Sequence, residues 1–127
     1  MDDPVVYLNG ELLPRGEARV NVQDPGLLHG FSAFTTMRAH RGRVFRLRRH
    51  LARLGQTVEL LGLRSEATVG ELTDAVARVL QANELAEARC RITLTPGPPD
   101  VARTTVLVPA EPLPDYPDTW YEKGLSV

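Results

Sequence analysis

His29 to Leu54 reads HGFSAFTTMRAHRGRVFRLRRHLARL, and this stretch sets the architecture. Ala33 to Ala39 carries Phe34, Thr35, Thr36 and Met37 and has the composition of a strand. Arg41-Gly42 turns the chain, and Arg43 to Phe45 comes back. From Leu47 the period changes. Leu47, Leu51, Leu54, Val58 and Leu61 follow one another at steps of four, three, four and three. That is one apolar stripe on a helix, and Gly62 suits its C-terminal stop.

Working outward, Val5 to Leu8 is β-rich, Asn9-Gly10 is a strong hairpin signal and Glu11 to Leu13 returns as a second short strand. Ala18 to Val22 alternates small or apolar residues with Arg19 and Asn21 and is expected to be a further strand. Asp24-Pro25-Gly26 is a turn, and Leu27 to Ser32 is expected to be irregular. Downstream, Thr68-Val-Gly-Glu71 has the form of a capping box. The helix it opens carries Val69, Leu72, Val76, Val79 and Leu80 on one side and ends near Asn83. Cys90, Ile92 and Leu94 alternate with Arg89, Arg91, Thr93 and Thr95, a half-buried strand. Pro96-Gly97-Pro98-Pro99 breaks it, and Thr104 to Val108 is the returning strand. Pro109, Pro112, Pro114 and Pro117 then suit an extended, semi-rigid segment outside the core, and Trp120 to Val127 resumes a strand-like pattern. Hairpins, two consecutive helices and a final hairpin imply an α+β, two-layer sandwich: a mainly antiparallel sheet with two helices on one face. The expected division is an N-terminal domain over 1–110 and a proline-rich interdomain segment over 111–127.

A chain of 127 residues is one domain by length. It is long enough to bury roughly two-thirds of its unfolded surface. With 43% apolar and 24% charged residues and a formal net charge of −1, nothing favours bulk attraction to nucleic acid or to a membrane. No apolar run approaches a membrane span and no signal peptide is visible. The single cysteine, Cys90, excludes an internal disulfide and fits a reducing compartment, so a cytoplasmic protein is expected. Fourteen arginines stand against one lysine, Lys123. Arg41, Arg43, Arg46, Arg48 and Arg49 make one stretch basic, but a single aromatic residue, Phe45, lies among them and offers no series of rings to stack bases. His29, His40 and His50 lack acidic or cysteine neighbours at ligand spacing, so no metal site is expected. There is no Gly-x-Ser-x-Gly and no P-loop.

Arg53 is the first candidate for chemistry. It lies on the helix from Leu47, beside the stripe residues Leu51 and Leu54, where it can reach a boundary pocket. Its planar paired donors suit a dianion and stay charged at any working pH. His50, three residues earlier, shares its side of the helix. Phe34, Thr36 and Arg38 fall on one face of their strand, and Thr35 and Met37 on the other.

The hairpin around Asn9-Gly10, the segment Gly30-Phe-Ser-Ala-Phe-Thr-Thr36 and the motif His50-Leu-Ala-Arg53-Leu54 together resemble the N-terminal half of the fold-type IV pyridoxal-phosphate enzymes. These are the branched-chain and D-amino-acid aminotransferases and aminodeoxychorismate lyase. Arg91 to Gly97 and Tyr121 to Leu125 extend the resemblance over nearly the whole chain. The resemblance implies that Arg53 binds the cofactor's phosphate. It implies that Arg38 faces the site, where some members meet the substrate carboxylate, with Phe34 and Thr36 beside it. It also implies that His29 stands where several members have an aromatic residue lining the pocket. Phe34-Thr35-Thr36, in place of the commoner Phe-Glu-Thr, leans toward the lyase, which forms 4-aminobenzoate from aminodeoxychorismate. A branched-chain or D-amino-acid aminotransferase is the alternative, and a non-catalytic binding or scaffold domain is a further one. The family's chemistry uses a lysine that forms a Schiff base with pyridoxal 5'-phosphate, and the resemblance places it beyond Val127. Lys123 is therefore not the nucleophile, no catalytic residue is expected within this chain, and the chain is expected to be a fragment, inactive alone, of a homodimeric enzyme with a small amino-acid or aminodeoxychorismate substrate.

Overall fold

The computed structural model describes residues 3–101 and 103–113. The strands are β1 (Val5–Leu8), β2 (Glu11–Pro14), β3 (Ala33–His40), β4 (Arg43–Val44), β5 (Ala88–Thr95), β6 (Thr105–Val108) and β7 (Ala110–Pro112). The helices are α1 (Pro25–Leu28), α2 (Leu47–Leu61) and α3 (Val69–Ala82). The strands form one antiparallel sheet in the order β2-β1-β6-β5-β3-β4, with β7 pairing the remaining edge of β5. The expected α+β architecture is what the chain adopts.

The alternation along β3 and β5 decides where the core lies. Ala33, Thr35, Met37 and Ala39 are buried, as are Ala88, Cys90, Ile92 and Leu94. Over this face pack α2, through Leu51 and Leu54, and α3, through Leu72, Ala75, Val76, Val79 and Leu80. Both helix bounds follow their caps. Gly62 closes α2 at φ +63°, a left-handed conformation that costs glycine little. Thr68 Oγ1 accepts the Glu71 N–H at 3.1 Å. The second half of the expected capping box is not made, because the Glu71 carboxylate instead accepts the Tyr7 hydroxyl at 3.0 Å. The C-cap of α3, Asn83, is buried and ties the helix to the sheet. Its Oδ1 accepts from Val5 N at 2.8 Å, while its Nδ2 donates to Val5 O at 2.8 Å and to Val79 O at 2.9 Å.

Four local expectations need correction. Ala18 to Val22 is not a strand. Arg19 turns back to donate to the Gly16 and Ala18 carbonyls, and Asn21 Oδ1 accepts from Gln23 N, so the backbone bends before any partner can align. The segment from Leu27 to Ser32 is not wholly irregular, since Asp24 caps the one-turn helix α1 with Pro25 at its first position. The two stripes fray at their outer ends: Leu61 of α2 and Val69 of α3 are exposed. Finally, the proline-rich stretch begins inside the sheet, because Ala110–Pro112 pairs with Ala88–Cys90 as β7. The strand-like pattern at Trp120 to Val127, the Tyr121–Leu125 segment and Lys123 lie outside the described residues.

Candidate active site

Along β3 and the facing half of β5 the second face of the sheet is uncovered. On β3 it presents Phe34, Thr36, Arg38 and His40, all exposed. Antiparallel register places Thr93 beside Phe34, Arg91 beside Thr36 and Arg89 beside Arg38. The Arg91 guanidinium lies 3.9 Å from the centroid of the Phe34 ring, a cation–π contact, and its Nε reaches Thr93 Oγ1 at 3.3 Å. Arg89 pairs with Glu111 of β7 at 3.4 Å. A hollow of about 400 Å³ opens on this face, with Thr36, Arg89, Arg91, Arg15 and Glu111 among its walls. Thus three guanidinium groups, Arg38, Arg89 and Arg91, gather on one surface with one described carboxylate partner. At the far end His40 Nδ1 meets Glu87 at 2.6 Å. The backbone N–H of Arg41 and then His40 hold the Glu87 carboxyl below its ordinary pKa.

Arg53 sits in the other layer. It is exposed on α2 and makes no ion pair among the described residues. One turn earlier His50 is half-buried, with Nδ1 2.9 Å from Thr35 Oγ1 on the helix-covered face of β3. Burial, and secondarily the charge of Arg53, push the His50 pKa down, so the imidazole is neutral near pH 7. The two layers meet at the edge of β3. β4 pairs with it only at Ala39 and His40, and Phe45 N donates to Arg38 O. By the two-residue repeat of a strand, Phe34 and Thr36 turn their backbone N–H and C=O toward the same side, where no described strand covers them.

The predicted residues are therefore brought together in part. Phe34, Thr36 and Arg38 share one face as their spacing implies. Arg53 lies on α2, in the layer across the sheet from them. His29 is the exposed C-cap of α1. Its segment is seated over Thr95 and Thr105, at the end of the sheet where β3 begins. Sequence reasoning missed Arg89 and Arg91 as site residues. Their alternation with Cys90 and Ile92 shows that they face outward, but only the β3–β5 register shows what they face. Among the described residues no cluster of potential metal ligands occurs.

The family model for amino-transferase class IV matches residues 32–127. The chain belongs to this family. It is similar to the solved branched-chain aminotransferase of the archaeon Thermoproteus uzoniensis, determined with norvaline, at 31% identity and a TM-score of 0.78. That likeness covers 89% of this chain and 42% of the other. Against the Escherichia coli branched-chain amino acid aminotransferase the identity is 27% and the TM-score 0.79, covering 91% of this chain and 41% of that one. A D-alanine aminotransferase of Staphylococcus epidermidis is 30% identical over 92 residues, 72% of this chain and 33% of the relative. The chain thus spans well under half the length of these class IV relatives and corresponds to their N-terminal domain. Their names also bear on the lyase expectation. These relatives are aminotransferases, and the triplet that suggested the lyase is split by the structure, since Thr35 faces the core and bonds His50 and does not share the open face.

Proposed function

We propose that this chain is the front domain of a pyridoxal-phosphate-dependent aminotransferase that moves an amino group between an amino acid and a 2-oxo acid. The observation that carries the reading is the arginine-lined open face of β3 and β5, together with Arg53, which has no ion pair among the described residues, on the helix packed behind β3. The residues present fit one end of the cofactor. Arg53 offers forked donors to a phosphate dianion, and His50, already bonded to Thr35, stays neutral and leaves that charge to Arg53. When bound, the cofactor supplies the electron sink that stabilises charge at the substrate's α carbon.

The chain's own residues then bind and orient. Arg38, Arg89 and Arg91 face the carboxylate of the amino acid or oxo acid. The Phe34 ring, held under Arg91, offers an apolar wall and keeps that guanidinium from swinging freely. Thr36 adds a hydroxyl on the same face. His29 borders the site from the segment seated on the sheet. Covering of this face by the remainder of the enzyme, as in a homodimer of two-domain subunits, excludes water and strengthens each of these charge contacts.

The test is Arg53→Ala in the full-length polypeptide, with cofactor binding followed by its visible absorbance. Loss of charge-assisted bonds to a phosphate is expected to weaken affinity about 10- to 100-fold. Unchanged affinity would overturn the role of Arg53. Release of pyruvate without any amino acceptor would favour the lyase over the aminotransferase.

A further inference from the structure

Residues 18–31 lie over the Thr95–Thr105 end of the open face, and Phe31 is their described apolar contact with the core. Leu27 and Leu28 of α1 are 61% and 58% exposed, and Val20 and Val22 are exposed as well. Apart from Ala18 N to Arg15 O, the turn and loop backbone hydrogen bonds described for this stretch are internal: Asp24 N to Asn21 O, Leu27 N and Leu28 N to Asp24 O, and His29 N and Phe31 N to Pro25 O. Among the described hydrogen bonds, one side chain ties it to the sheet. That side chain is Asp24, 0% exposed. Its Oδ2 accepts the hydroxyls of Thr95 on β5 at 2.8 Å and of Thr105 on β6 at 2.7 Å. Its Oδ1 accepts Gly26 N at 2.8 Å.

The direction of these bonds is fixed. Thr95 Oγ1 also accepts Gly97 N at 3.0 Å, so its single proton is committed to Asp24. The site therefore needs an acceptor, and a carboxylate supplies one where a carboxamide nitrogen would oppose the hydroxyl. The contact is also close. A Cβ on Gly26 would come within 2.3 Å of Thr95 Cγ2, so only glycine lets the turn lie this near the strand.

We propose that Asp24 is a positioning residue: its buried carboxylate pins residues 23–31 to the open face and thereby sets His29 at the border of the substrate site. The pin itself is independent of the aminotransferase reading; the effect on turnover rests on it.

The experiment uses the full-length polypeptide with Asp24→Asn, Thr105→Val, and Thr95→Ser with Thr105→Ser. Hydrogen exchange is read peptide by peptide, and kcat and KM are read separately. Asp24→Asn is expected to raise exchange in 18–31 at least about tenfold while β3 and β5 keep their protection. Thr105→Val, which removes one of the two donors, gives a smaller rise and serves if the asparagine variant does not fold. The serine variant keeps both hydroxyls and matches the parent. KM is expected to rise several-fold more than kcat falls. Unchanged exchange in 18–31, or an equal rise throughout the sheet, overturns the pin. Local release with both kinetic constants unchanged overturns the positioning role. If the parent shows no transamination at all, local release still supports the pin and only the functional reading falls.

Discussion

The two faces of one sheet, built from the same two strands, have opposite chemistry. On the helix side, β3 and β5 contribute Ala33, Met37, Ala39, Ala88, Cys90, Ile92 and Leu94, closed over by α2 and α3. The polar member, Thr35, is bonded to His50. On the other side the same strands contribute Phe34, Thr36, Arg38, Arg89, Arg91 and Thr93. Folding free energy comes from burying apolar area, so most of it is generated on the first face, with Val6 and Leu8 buried on the other. The second face is left free to carry charge that a folding argument does not require.

The largest effect that can break this contrast lies in the core. Ile92 is 0% exposed, at the centre of β5 within the core cluster. Ile92→Ala is expected to cost about 2–5 kcal/mol in urea unfolding. A cost below ~1 kcal/mol would mean that the helix face does not dominate stability. The next effect is polar. Asn83→Ala strands the Val5 N–H and carbonyl at the sheet's margin, and a loss of about 1–3 kcal/mol is expected in the same assay. Asn83→Asp keeps the acceptor but sets a charged oxygen against the Val5 and Val79 carbonyls, so it should lose at least as much as the alanine variant.

These two residues also mark how far a sequence can be read. Ile92 declares itself, because the alternation Cys90, Ile92, Leu94 against arginines and threonines is local. The α2 stripe and Gly62 are local too, and both ends of that helix follow from them. Asn83 is visible only as a helix terminus. Its grip on a strand 78 residues away depends on how α3 crosses β1. The same holds for the site. Phe34, Thr36 and Arg38 share a face by simple parity, whereas Arg89 and Arg91 join them only through the register of β3 on β5. Ala18 to Val22 misled for the converse reason: its alternation is real, but side chains of Arg19 and Asn21 satisfy the backbone locally and no strand is needed.

A smaller effect comes from pH. His50 is the titratable link between α2 and the buried face, and its folded pKa lies below the usual histidine value, through burial first and Arg53 second. The unfolded chain therefore takes up a proton first as pH falls. Stability from this group is fully present above the unfolded value near 6.5 and declines as pH drops through it toward the folded value. Unfolding midpoints measured at pH 7.5 and pH 5 should show a loss on acidification that His50→Gln reduces. A midpoint that rises on acidification, with the glutamine variant unaffected, would show that the imidazole is charged in the folded state.

The smallest expected effect is the most telling for the contrast. Arg38→Ala and Arg89→Ala remove exposed guanidinium groups, one of them in an exposed pair with Glu111. Pairs of this kind contribute roughly 0–1 kcal/mol, and surface substitutions usually stay within about 0.5 kcal/mol. Both variants should therefore unfold with the parent's midpoint, while Arg89→Ala also frees Glu111 and makes the hollow more acidic. If instead either variant lost several kcal/mol, the open face would be part of the folding machinery, and its arginines would need no ligand to account for them. If both are silent in unfolding yet weaken binding of an amino acid or 2-oxo acid in the full-length polypeptide, the division of labour between the two faces stands as a physical fact. Three like charges kept on one surface with so little to offer the fold are then accounted for by the carboxylate they meet.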